Sequence, residues 1–131
     1  MKKIFVIFLI YFIPILSFGQ DIKSDGLFFI QSITTLEDGY MIYATDSTDN
    51  VFKIFSVKEN EILKGNEIKI IEGEMYRLYL SRPDLSQMPA SSTPGHFVIR
   101  VGATVLWRDT ESSENIPYFL ENANGLYLLN N

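Results

Sequence analysis

Between Val51 and Leu80 the chain reads VFKIFSVKENEILKGNEIKIIEGEMYRLYL. Three short runs of β-branched and aromatic residues are broken by Lys58-Glu59-Asn60, Lys64-Gly65-Asn66 and Glu72-Gly73-Glu74. In the last run Tyr76, Leu78 and Leu80 fall on one side of an extended strand, and Met75, Arg77 and Tyr79 on the other. A period of two between glycine-bearing breaks is the signature of strands, not of helices. Strands are predicted near Val51–Val57, Ile62–Ile71 and Met75–Ser81.

The same pattern recurs on either side. Gln20 to Gly26 is polar and predicted to fray. Leu27–Leu36 and Tyr40–Thr45 are strand-like, with Asp38-Gly39 between them as a hairpin signal, because glycine tolerates the positive φ of tight turns. Asp46–Asn50 is a polar loop. Phe97–Val101 and Thr104–Trp107 flank Gly102-Ala103, a second hairpin signal. Tyr118–Leu120 and Leu126–Leu129 flank a turn containing Asn124-Gly125. Ser81 to His96 differs in kind: it holds three of the five prolines and almost no apolar periodicity. Connections this long are functional or mobile. The expected fold is all-β, a small antiparallel barrel or sandwich of about eight strands with meander connections.

The first 19 residues stand apart. Lys2 and Lys3 precede an uncharged run rich in Ile, Phe and Leu, and Ser17 and Gly19 place small residues ahead of a cut before Gln20. These are the three parts of a signal peptide. The run is shorter than the roughly 20 apolar residues a membrane span needs, and Pro14 interrupts it. Residues 1–19 are therefore expected to be a signal peptide and 20–131 a single domain, with no stable membrane span after cleavage. The expected location is the periplasm, cell surface or extracellular space.

Composition narrows the function classes. The 131 residues carry 11 basic and 16 acidic side chains; without Lys2 and Lys3 the balance is 9 to 16, a net charge of −7. Such a chain repels phosphate backbones, which argues against nucleic acid as a partner. The chain has no cysteine, so thiol nucleophiles, thiolate zinc sites and a disulfide framework are excluded. A domain of about 112 residues can hold itself together by its core alone. The folded part has no glycine-rich phosphate loop, and no cofactor is expected.

The segment Ile68-x-Ile70-x-x-Gly73-x-x-Tyr76-x-Leu78-x-Leu80, together with the leader, resembles a segment of small exported β-proteins of the Bacteroidota type. The resemblance covers about a dozen residues and the leader. It implies a small barrel or sandwich and no particular activity.

Candidate chemistry is sparse. His96 is the only histidine, so any Ser-His-Asp arrangement would need it as base, drawing on Ser86, Ser91 or Ser92 and Asp84. No nucleophile-elbow pattern accompanies it. Hard-cation loops are conceivable at Asp46, Asp49 and Asn50 or at Asp109, Glu111 and Glu114, but neither matches the calcium-loop pattern, and no metal site is assigned. The turn carboxylates Asp38, Asp46, Glu59, Glu72 and Glu74 are accounted for by turn chemistry. No catalytic residue is assigned. The aromatics are the more informative set, since Tyr and Trp anchor interfaces and stack on ligands. Trp107 and Arg108 on one hairpin, Arg77 and Tyr79 on one strand face, and His96 are the candidate binding residues. The expected function is an exported, non-enzymatic binding or accessory module for a protein, peptide or glycan. The alternative is a small exported hydrolase using His96 or a carboxylate pair.

Overall fold

The computed structural model describes residues 8–9, 22–59, 65–83, 98–108 and 110–129. In chain order the strands are β1 (Phe8–Leu9), β2 (Ile22–Thr35), β3 (Gly39–Thr45), β4 (Val51–Val57), β5 (Ile68–Lys69), β6 (Met75–Arg82), β7 (Val98–Val101), β8 (Thr104–Arg108), β9 (Tyr118–Leu120), β10 (Ala123–Asn124) and β11 (Tyr127–Leu128). A 3₁₀ turn, Ser113–Asn115, precedes β9. The architecture is all-β, and of the two arrangements the alternation allows it is the barrel: β2-β3-β4-β9-β6 closes on itself.

Alternation decides which side chains enter that barrel. Phe28 and Ile30 of β2, Ile42 and Ala44 of β3, Ile54 of β4, Leu78 and Leu80 of β6 and Leu120 of β9 fill its interior. Each aliphatic side chain buried there contributes about 2 kcal/mol. β2 is long enough to serve both sides of the closure. Ile22 to Phe29 pair with β6, and Phe29 to Thr35 pair with β3. A register shift between Ile30 and Ser32 bends the strand where it passes from one partner to the other.

Two features differ from the sequence expectation. Ile22–Gly26, expected to fray, is strand, held by the register Ile22↔Arg82 to Gly26↔Leu78. The connections are also not a simple meander. β2, β3 and β4 follow one another, but β9 inserts between β4 and β6 and runs parallel to β4, pairing Ile54 with Tyr118 and Phe55 with Phe119.

Among the described residues there are two smaller sheets. The order β10-β11-β5 forms one of them. There Ile70 N–H donates to Leu126 O (2.7 Å), and Ile70, Ala123, Leu126 and Leu128 join the interior core. Of the expected strand Ile62–Ile71, the described part holds strand at Ile68–Lys69, and residues 60–64 lie outside the described residues. β7 and β8 form a hairpin, and β1 pairs with the free side of β7 (Phe8↔Arg100, Leu9↔Ile99). The rest of the leader, including its expected cut, lies outside the described residues. Among the described residues no helix is long and apolar enough to cross a membrane.

Candidate functional site

The outward face of the barrel is divided into a covered wall and an open one. Met41 and Tyr43 of β3, Phe55 and Val57 of β4 and Phe119 of β9 point outward, yet none is left to solvent. The β7–β8 hairpin lies over them with Ile99, Val101, Leu106 and Trp107, and Ile116 closes the end. This is a second core outside the barrel. Asp38, in the β2–β3 turn, fixes the hairpin in place. Its Oδ2 accepts from Ala103 N–H (2.9 Å), Thr104 N–H (3.1 Å) and the Thr104 hydroxyl (2.8 Å).

Trp107 therefore stands inside this core, 6% exposed, and its indole N–H donates to Ser112 O at 2.9 Å. Its ring offers no open platform. Arg108, next to it, is exposed, and its N–H donates to the Glu111 carboxylate. The register shift in the hairpin lets Leu106 and Trp107 both enter the core, while Arg108 remains exposed.

The open wall is the outward face of β2 and β6. Register sets Tyr79 across from Asp25, Arg77 across from Leu27 and Met75 across from Phe29, and the last row continues through Thr45 to Val51. Val51, Met75, Leu27, Tyr79 and Phe29 are 63, 57, 52, 45 and 40% exposed. They lie on one outward face across four strands, with Thr45 between Phe29 and Val51 and Arg77 between Met75 and Tyr79. Arg77 and Tyr79, marked from sequence as an outward pair, lie together here. Leu27, Phe29 and Val51 were not singled out. Their signal was the cross-strand pairing, which no single strand reveals.

At the Tyr79 end the strip meets a cleft of about 370 Å³ lined by Lys23, Ser24, Asp25, Tyr79, Leu80 and Glu121. The residues after β9 shape it. Glu121 N–H donates to Tyr79 O (2.8 Å) and Tyr79 N–H to Asn122 Oδ1 (3.0 Å). Asn122 Nδ2 donates in turn to Arg77 O (3.2 Å). These bonds staple the Glu121-Asn122 bend to β6, so that Glu121 and Tyr79 line the same cleft. The buried Ser81 hydroxyl donates to Glu121 Oε2, and Lys23 Nζ approaches the same oxygen at 3.8 Å.

The remaining candidates lie elsewhere. His96, with Asp84, Ser86, Ser91 and Ser92, falls outside the described residues, as does Asp109 of one acidic loop. In the other loop Asp46 Oδ1 accepts from Thr48 N–H (2.9 Å), the Thr48 hydroxyl (2.9 Å) and Asn50 N–H (3.0 Å). Desolvation pushes the Asp46 carboxyl up, but the bonds from Asn50 and Thr48 together hold it below its ordinary value. The carboxylate is thus occupied by its own turn. Glu72 Oε2 likewise accepts Ile33 N–H (2.9 Å). Among the described residues no cluster of three His, Asp or Glu side chains is placed to hold a metal ion.

Numbered by barrel strand, the order is first-second-third-fifth-fourth, with third and fifth parallel. This is the Greek-key connectivity of OB-type barrels, which take ligands on the outward face of the second and third strands. Here that face is β3 and β4, and the hairpin roofs much of it. Comparison with protein families, with curated proteins and with solved structures finds no match for the chain.

Proposed function

We propose that this protein is an exported, non-enzymatic binding module that docks a partner protein on the outward wall of β2 and β6. The observation that carries the reading is the contrast between the two walls. One is sealed by the chain's own hairpin. The other leaves Leu27, Phe29, Val51, Met75 and Tyr79 exposed in one strip. Scattered exposed apolar residues are ordinary, but a group of them on one face marks an interaction surface. Phe, Met, Tyr and Arg are the types enriched at protein interfaces, and Phe29, Met75, Tyr79 and Arg77 supply one of each. Fold alone does not assign function, so the weight rests on this surface. Export rests on the leader pattern of residues 1–19; sequencing the N-terminus of the secreted or periplasmic product should read from Gln20.

The test is to pan a displayed peptide library against the protein and measure the enriched peptides on Leu27→Asp and Met75→Asp. We expect each charge to weaken binding by about tenfold or more, as loss of a central interface contact does, while the far-UV spectrum and thermal midpoint stay put. Peptides that bind both variants as well as the parent would place recognition elsewhere.

A further inference from the structure

We infer that the partner presents a basic side chain, flanked by apolar residues, with its cationic head in the cleft between Tyr79, Asp25 and Glu121 and its apolar neighbours on Leu27, Phe29 and Met75. The inference rests on the binding reading above and adds the chemistry of the partner.

Three observations converge on a cation. The cleft pairs an exposed aromatic ring with two carboxylates, Asp25 directly across the strand from Tyr79 and Glu121 stapled to Tyr79 through the backbone. A ring face and carboxylates together attract a guanidinium or ammonium group. The chain already shows this preference internally. Lys23 Nζ stands 3.8 Å from Glu121 Oε2, with its side chain 68% exposed. An exposed lysine pair of that length contributes little, and a guanidinium, which binds carboxylate in a two-pronged fork, can displace it. Elsewhere on the molecule Arg82 lies 4.9 Å from the Tyr118 ring centre and Lys58 5.2 Å from that of Tyr40.

Charge also decides between occupants. A second copy would bring together two chains that each carry a net −5, or −7 without the leader lysines, and like-charged bodies repel. An acidic partner meets the same field. A basic partner is steered towards it and speeds its own encounter. Arg77 is a cation set into the strip beyond the cleft. It lies across from Leu27, and its charge bars a partner that is basic along its whole length. The complement is one or two cations next to apolar residues.

The probes are three synthetic peptides of equal length with the same leucines, carrying arginine, glutamine or glutamate between them, and a neutral oligosaccharide. We expect the arginine peptide to bind the exported protein, and its affinity to fall as salt rises. Asp25→Asn with Glu121→Gln, and separately Tyr79→Ala, should each weaken it by about tenfold. Lys23→Met removes the internal competitor and should tighten binding, an effect that a purely structural role for Lys23 would not give. Equal or stronger binding of the glutamine or glutamate peptide overturns the inference, as does binding of the oligosaccharide in place of the peptides. A peptide lost on Leu27→Asp but indifferent to the cleft substitutions overturns it and leaves the binding reading standing. If no peptide is lost on Leu27→Asp, both fall.

Discussion

At Gly39 the chain has no room for a side chain. A Cβ there would lie 2.2 Å from Ser56 O and 2.7 Å from the Phe55 ring. The hairpin signal at Asp38-Gly39 located the turn, but the reason for glycine is steric, not conformational. Gly39 opens β3 opposite Val57, while the positive-φ glycines among the described residues are at 26, 65, 73, 102 and 125. Asp38 shows the same gap. It reads as a turn residue, yet its carboxylate reaches 65 and 66 positions along the chain to hold Ala103 and Thr104. Local pattern supplies the identity of such residues; their partners come from topology. Gly39→Ala should therefore cost about 2 kcal/mol or more, as forced overpacking does. Gly73→Ala meets nothing within 4 Å and should cost only the strain of its backbone, about 1 kcal/mol. Urea midpoints of the two variants, taken with unchanged slopes, check the order; the reverse order would mean β3 and β4 shift easily to admit a methyl group.

The elements legible in advance were those whose β-branched and aromatic runs stand between turn signals: β3, β4, β6, β9 and the β7–β8 hairpin with Gly102 at φ 57°. The first half of β2 was not, because Lys23-Ser24-Asp25 carries no apolar alternation. Its strand state is imposed by eight register pairs with β6. β10 is two residues long and has no period to read. Trp107 was legible as notable and misplaced as a surface. TVLW predicts a strand, but nothing within it says that the hairpin folds back over Met41, Phe55 and Phe119. That covering ties the hairpin to the barrel through an apolar contact face and the Asp38 clamp. Asp38→Ala leaves the Ala103 and Thr104 amides without their acceptor, a loss of about 1–3 kcal/mol borne by the hairpin. Trp107 is the only tryptophan and reports on the hairpin. In the variant its fluorescence should melt several degrees below the far-UV signal, whereas in the parent the two coincide. Coincident transitions in Asp38→Ala would show that hairpin and barrel unfold as one.

For the molecule as a whole, one barrel wall serves two cores. Ile54 and Phe55 are neighbours in β4, both 0% exposed, one facing the interior with Leu78 and Leu80, the other facing outward beneath the hairpin. This explains how a chain without cysteine holds a closed five-stranded barrel: it buries both faces of β3, β4 and β9, where a single barrel core would bury one. It also leaves Leu27 and Phe29 of β2 and Met75 and Tyr79 of β6 exposed on the outward face. Stability and recognition are thereby assigned to different sides of the same sheet, and substitutions should separate them. Ile54→Ala removes a side chain from the shared wall and should cost about 2–5 kcal/mol. Leu27→Asp and Met75→Asp replace residues that are more than half exposed and should stay within about 0.5 kcal/mol of the parent. Denaturation of the three variants against the parent decides the matter. If the two aspartates cost as much as the loss at Ile54, the strip on β2 and β6 is covered by the chain itself and is part of the fold. The surface on which the binding reading rests would then not exist.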